Sequence, residues 1–436
     1  MAPMRKLPRH LLTGLKEALS TSRIVNLIGP RQVGKTTLVR DMLATGKYIT
    51  LDKESVLEAI KRDTAGQLES LRRVAGEGPL IIDEAQRSRE LALAIKVLVD
   101  RDTRKGQFLL VGSSNPFTTA AIVDSSPKRM RTLKLWPLTV SETREVNAGF
   151  LLDWATQEVP SLDQIRVLEA PGRMDYVELL LEGGFPEPRT LAIKPRQSLY
   201  RDYVDSVVDR DVAEIIRIRK TDRLHRLIEQ LTARTGGEIN VLKLSEAVGV
   251  NRATLNTYLD ILTRLSLIFR LDSWISGESR REIKNAKYHF VDTGMACALR
   301  YFNDRSFNAD QPNATVLGGL LESFVLGELI RVQPIQKQEC RLYHWRNADG
   351  REIDILAEGP DTIVGFKVKA STSVSGMDFR HLKWFSTEGP GRNRKFCGIV
   401  LYFGQHKLSF GGNCFALPIS SLWAPIELQG SANAGS

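Results

Sequence analysis

Cysteine is scarce in this chain: Cys297, Cys340, Cys397 and Cys414 are the only four in 436 residues, and none share the short spacing of a zinc or redox pair. That argues against a disulfide-stapled fold or a cysteine-based metal finger, and fits reduced thiols in a cytoplasmic protein. Long apolar runs are missing as well. No stretch approaches the roughly 20 apolar residues that cross a bilayer. The start, MAPMRKLPRHLLTGLKEALS, lacks the continuous apolar segment of a secretory signal. A soluble, cytoplasmic protein with no membrane partner is expected. Acidic excess is also absent: 61 Lys and Arg oppose 51 Asp and Glu, a formal net charge of +10. Such a balance favours polyanionic partners, nucleic acid or nucleotides.

What is present is ordinary globular material, with 42% hydrophobic and 26% charged residues. The length calls for two or three domains.

The clearest motif lies in RIVNLIGPRQVGKTTLVRDML, which reads as an apolar strand, a glycine-rich turn and a helix. Gly29, Gly34, Lys35 and Thr36 match G-x4-G-K-[ST] in full. Gly29, Pro30, Arg31, Gln32, Val33, Gly34, Lys35, Thr36 and Thr37 form the expected nucleotide-binding stretch, whose backbone N–H groups (Pro30 has none) curl around phosphates while the helix start adds a positive dipole. Lys35 is expected on the β/γ-phosphates of ATP and the Thr36 hydroxyl on Mg²⁺. A merely structural glycine turn is the competing reading, and the strand before and helix after argue against it.

PLIIDEAQ then reads as a buried strand ending in Asp83 and Glu84. Acids at a strand's C-terminal end face the ligand crevice of open α/β sheets. Asp83 would hold Mg²⁺ through water, and Glu84 would polarise the attacking water. GQFLLVGSSN is a third strand, whose Ser114 either orients water and the γ-phosphate or caps the next helix. Arg129 and Arg131 are candidates for an arginine finger, with solvated basic residues as the alternative.

These marks, with LWPLTVSE, GGFPEPR, YRDYVDSVVDRDV, KYHFVDTGM and LLESFVLGEL further on, cover nearly the whole chain. In this order the chain resembles a prokaryotic family of AAA-type ATPases with a C-terminal half long catalogued as a domain of unknown function. The resemblance implies an α/β protein with an AAA-like P-loop core, a winged-helix segment and a restriction-endonuclease-like C-terminal domain. It also implies toxin–antitoxin or defence settings for some members. The expected organisation is an ATPase core over 1–145, a helical lid and connector over 146–220, and a winged helix over 221–285. A linker over 286–315, the endonuclease-like domain over 316–426 and a flexible tail over 427–436 would follow.

In the middle, residues 196–219 carry no Gly or Pro and show helical apolar spacing, which predicts a connecting helix. NVLKLSEAVGVNRATLNTYLDILTRL has the spacing of a helix-turn-helix, with the turn at Gly249 and Asn251 as an N-cap. Arg252, Thr254, Asn256 and Thr257 would face DNA if the second helix reads the major groove. A rigid connector or protein-contact module is the other reading, since this helix carries little basic charge.

The C-terminal third holds Glu322 on an apolar helix, Asp354 on a strand, and GFKVKAS on the next strand. Helical Glu, strand Asp and Glu-x-Lys is the order of a Mg²⁺-dependent nuclease site, in which the acids hold the metal and Lys369 assists the attacking water. Here Lys367 stands where the second strand carboxylate belongs. An ammonium competes with Mg²⁺ for hard oxygen ligands. Glu352 lies on the same strand face as Asp354 and could substitute in part. A nuclease-like fold with an impaired metal site is expected, one Glu-to-Lys change away from an intact one. Residues 366–396 hold seven Lys or Arg against two acids, a basic footprint beside this motif.

Three functions remain open on this evidence. The first is an ATPase controlling a nucleic-acid-facing (DNA-facing) nuclease-like domain. The second is a nucleotide-gated protein-binding factor without nuclease activity, and the third is a toxin nuclease held by an antitoxin. An oligomer is compatible with each.

Overall fold

The structure, a computed structural model, describes residues 6–113, 130–169, 171–212, 221–276, 285–308 and 314–427. The chain divides into two compact units, Pro8–Leu138 and Thr139–Ser436, the latter joined by Met1–Leu7.

In the first unit, β1 (Ile24–Ile28), β2 (Lys47–Thr50), β3 (Leu80–Asp83), β4 (Phe108–Gly112) and β5 (Met130–Lys134) form a sheet in the order β2-β3-β4-β1-β5. Every pairing is parallel. The central strands are nearly continuous apolar runs because both of their faces are covered. Ile82, Phe108 and Leu110 pack against Leu57, Leu68, Leu91 and Ile95 of three helices, Glu54–Arg62, Thr64–Ala75 and Arg89–Arg101. This packing brings the carboxyl ends of β1 and β3 to one edge of the sheet, where ligands of such folds bind.

In the second unit two helices follow each other across Gly249. Val241–Val248 ends at Gly249, which takes the left-handed conformation (φ 73°) that favours glycine. Asn251 then caps Arg252–Arg264 by accepting from Thr254 N at 2.8 Å. Antiparallel β6 (Ile268–Leu271) and β7 (Lys287–Phe290) follow.

Within 286–308, β7 is buried along its length, and Thr293–Leu299 is a buried helix. Its Asp292 accepts from Gly184 N (2.6 Å) and Met295 N (3.1 Å), tying KYHFVDTGM to GGFPEPR. Polar letters at inward positions disguised this core segment in the sequence. The first compact unit ends at Leu138. The capped turn Val140–Thr143 belongs to the second unit, where Val140 N donates to the buried Glu328 (3.1 Å).

The C-terminal sheet runs β12-β13-β11-β10-β9-β8, with β8 (Arg341–Arg346), β9 (Glu352–Glu358), β10 (Thr362–Lys369), β11 (Lys395–Tyr402), β12 (Leu408–Ser409) and β13 (Cys414–Pro418). β8, β9 and β10 are antiparallel, whereas β10–β11 and β11–β13 are parallel. Trp345, Ile353, Ile363 and Phe385 are part of its core. Among the described residues, no helix is long and apolar enough to cross a membrane.

Candidate functional site

β1 delivers the chain into the glycine loop, whose backbone needs its glycines. Gly34 sits at φ 94°, and a side chain at Gly29 would run into the Leu135 carbonyl oxygen. Lys35 is buried, and its ammonium donates to the carbonyls of Gly29 (2.9 Å) and Pro30 (2.7 Å). The loop thus curls around its own lysine. A cation held at the head of a phosphate loop is placed to neutralise a nucleotide's anionic end.

At the end of β3, Asp83 gathers three donors. Thr36 Oγ1 donates to Oδ2 at 2.8 Å, Tyr48 OH to the same oxygen at 2.7 Å, and Glu84 N to Oδ1 at 3.0 Å. A hydroxyl and a carboxylate so close are hard oxygen ligands of the kind Mg²⁺ takes. Thr36 and Asp83 therefore fit the metal. Glu84 adopts the left-handed conformation (φ 57°), uncommon for a non-glycine residue and worth relating to function. Burial pushes its carboxyl above the usual range, and a hydrogen bond from Gln86 Nε2 (2.5 Å) opposes that rise. A carboxyl with a raised pKa beside the metal ligands suits proton abstraction from water.

The second centre lies in the C-terminal unit, and it is occupied by lysines. Glu322 on the helix Ala314–Val332, Glu352 and Asp354 on β9, and Lys367 on β10 lie together with Lys287. Lys367 Nζ sits 2.7 Å from Asp354 Oδ1 and 3.7 Å from Glu352. Val368 N donates to the other Asp354 oxygen at 2.8 Å. Lys287, from β7, donates to Glu322 at 2.7 Å and lies 3.9 Å from Glu352. Asp354 is buried, which would raise its carboxyl, but the ammonium groups of Lys367 and Lys287 hold it below the ordinary value. Burial alone would raise the Glu322 carboxyl, and the Lys287 ammonium 2.7 Å away opposes that rise. Each acid that should bind metal is already charge-paired, so these residues do not fit a divalent cation. Among the described residues no cluster of three or more His, Cys, Asp or Glu could hold one. Lys369 is paired with Asp378 at 2.7 Å.

Residues 21–144 match the family model described as an AAA domain. An AAA-type, ATP-binding core is supported. Residues 173–306 and 317–422 match two domains of unknown function, DUF8612 and DUF4143. Two uncharacterized proteins, from Mycobacterium bovis and Mycobacterium tuberculosis, are each 28% identical over 370 residues, spanning 84% of this chain and 75% of theirs. One from Haemophilus influenzae is 28% identical over 208 residues, spanning 45% of this chain and 47% of its own. Among solved structures, the replication initiator DnaA bound to AMPPCP and single-stranded DNA is 14% identical, covering 58% of this chain and 86% of its own, at a TM-score of 0.27. ORC1 of Aeropyrum pernix in complex with DNA is 15% identical, covering 69% and 94%, also at 0.27. Likenesses that slight say nothing of shared ligands.

The structure brings together Lys35, Thr36, Asp83 and Glu84 as the sequence read them. Ser114 and Arg129 lie outside the described residues. Arg131 is on the edge strand β5, 3.6 Å from Glu17. Of the basic footprint over 366–396, Lys367 and Lys369 are paired as above, Arg394 binds Glu358 and the Gly359 carbonyl, and Lys383 binds the Phe410 carbonyl, while Arg380, Arg392 and Lys395 are exposed. Tyr48 and Lys287 were missed. Lys287 opens the KYHFVDTGM mark, but nothing in its spacing points to Glu322, and only the fold carries Tyr48 and Lys287 to their acids.

Two buried histidines flank Lys287. His289 Nδ1 bonds Ser323 Oγ (3.0 Å), and His344 Nε2 bonds the Asn285 carbonyl (2.8 Å). Burial, with Lys287 close by, lowers His344 to about 4. A histidine whose folded pKa lies below its unfolded value of about 6.5 contributes stability above that value and loses it as pH falls through the folded one. Parent stability, from urea unfolding, should therefore lose about 1.4 kcal/mol per pH unit from His344 alone as pH drops from about 6.5 towards about 4. His344→Asn should show a correspondingly shallower slope. Equal slopes in parent and variant would show that His344 titrates as it does in the unfolded chain.

Proposed function

We propose that this chain is a Mg²⁺-dependent ATPase whose nucleotide state controls a nucleic-acid-facing, nuclease-like C-terminal domain that no longer cuts. The observation that carries the ATPase half is the 2.8 Å contact between Thr36 of the phosphate loop and Asp83 at the end of β3. It joins the two acidic and hydroxylic ligands of Mg²⁺ beside a buried loop lysine and a carboxyl of raised pKa. When bound, Mg²⁺ would neutralise phosphate charge, held by Thr36 and Asp83. Lys35 would bind the β/γ-phosphates, and Glu84 would take the proton of the attacking water. Glu322 and Asp354 keep the places of nuclease acids, with the ammonium groups of Lys287 and Lys367 where a metal would go. Duplex DNA is the partner favoured by the net charge of +10 and the exposed face of Arg252, Asn256 and Thr257 in a winged-helix arrangement. Cytoplasmic location fits the reduced thiols.

The paired lysines also favour a second reading, a nucleotide-gated factor that binds or remodels a partner protein. A toxin role with an antitoxin partner would need an open acidic centre, which these pairs disfavour. The deciding experiment is ATP turnover by the full chain in Mg²⁺, with and without duplex DNA. Turnover that changes with DNA supports control by nucleic acid, and DNA-indifferent turnover favours the protein-binding reading.

A further inference from the structure

The nucleic-acid partner just proposed needs a basic surface, and within the expected patch at 366–396 Lys367, Lys369, Lys383 and Arg394 are engaged by the fold. Another surface exists on the ATPase unit. A cavity of about 540 Å³ opens between the helices Thr64–Ala75 and Arg89–Arg101 and the loop that enters β4. It lies at the amino edge of the sheet, opposite the edge that carries Asp83. Arg72, Arg73, Arg101 and Arg104 line it, against Glu69 and Asp102.

The two acids do not cancel the four guanidinium groups. Asp102 is taken by Arg72 (2.6 Å) and by the backbone N of Arg104 (2.9 Å). Arg104 is steered across the cavity by its bond to the Gly76 carbonyl (2.9 Å). The Arg73 and Arg101 side chains are exposed and have no side-chain hydrogen-bond or ion-pair partner among the described residues. Basic residues in a last helical turn offset their own helix's negative end, which would account for each arginine singly. It does not account for arginines from two helices and a loop meeting over one concavity.

We propose that this groove holds the phosphodiester backbone of nucleic acid, gripped through guanidinium–phosphate hydrogen bonds. Arginine suits the task, because its planar fork meets phosphate oxygens two at a time. The site lies away from the phosphate loop, so backbone and nucleotide can be bound together. This inference rests on the nucleic-acid reading above and adds where the strand lies.

The test uses the full chain and a fluorescent DNA duplex, with binding followed by anisotropy across a salt series. The parent should bind, and Arg73→Ala/Arg101→Ala should bind about tenfold or more weakly. Its salt slope should fall by up to two phosphates' worth, at about 0.9 per phosphate. Both side chains are exposed, so ATP turnover without DNA should be unchanged. Reversed charge, Arg73→Glu/Arg101→Glu, should weaken binding further. Equal affinity and salt slope in parent and double variant would overturn the groove while leaving the nucleic-acid reading intact. No duplex binding by the parent would overturn both. Displacement of DNA by inorganic phosphate at matched ionic strength would show a site for a small anion, and would also overturn the backbone assignment.

Discussion

Glu84→Gln should bind ATP as the parent does and hydrolyse it about a hundredfold or more slowly, the range that general-base removal commonly costs. Glu84 follows directly on Asp83, and its left-handed backbone (φ 57°) turns it out of the strand. The amide of Gln has nearly the same shape and no proton affinity, so only water activation is lost. The Thr36–Asp83 contact and the Lys35 bonds to Gly29 and Pro30 involve no Glu84 side-chain atom. Affinity for ATP should therefore survive. Single-turnover phosphate release alongside equilibrium ATP binding separates the two quantities. Parent-like release would assign Glu84 the wrong role.

The other large effect is expected at Lys367→Glu. Removing the ammonium 2.7 Å from Asp354 leaves a buried carboxylate without its partner. Breaking one side of a fully buried pair costs about 3–5 kcal/mol; Lys367 is one-third exposed, which lowers that cost, and the new carboxylate adds repulsion from Glu352 and Asp354. The metal-free variant should accordingly melt well below the parent. A divalent cation should reverse part of that loss, because it binds the folded acids and not the unfolded chain. Thermal unfolding in Mg²⁺ and Mn²⁺ should raise the melting temperature of Lys367→Glu and leave the parent nearly unmoved. Lys287 remains on Glu322, so the regained metal would rest on Asp354 and the new Glu first. Metal-dependent cleavage of nucleic acid should appear in the same variant and vanish when Asp354→Asn is added. A variant that melts like the parent, with or without metal, would show that Lys367 carries no structural charge.

The phosphate loop and its acids were legible because their chemistry is local: a glycine turn between a strand and a helix, then two acids at a strand end. The helix-turn-helix was legible for a similar reason, since Gly249 and Asn251 carry turn and cap signals in adjacent positions. The acidic centre was half legible. Glu322, Asp354 and Lys367 could be placed in order, but Lys287 could not. It approaches from β7, 35 positions before Glu322, in a segment whose Lys and His look solvent-facing until both faces are buried. Tyr48 was invisible in the same way, on an edge strand of mixed exposure that only pairing with β3 brings to Asp83. Long-range ion pairs and hydrogen bonds leave no spacing rule in a sequence. The basic footprint was legible only as a count: Lys367 and Lys369 lie on acids, whereas Arg380, Arg392 and Lys395 are exposed.

The most direct test of the nucleotide engine is calorimetric titration of ATP into the full chain in Mg²⁺, for the parent and for Lys35→Ala. Lys35 is buried in the loop with its ammonium held by two loop carbonyls, and its loss removes the cation meant for the β/γ-phosphates. The parent should bind one ATP per chain, and Lys35→Ala should show no saturable binding in the same range. Equal affinity in the two proteins would contradict the assignment of the phosphate loop.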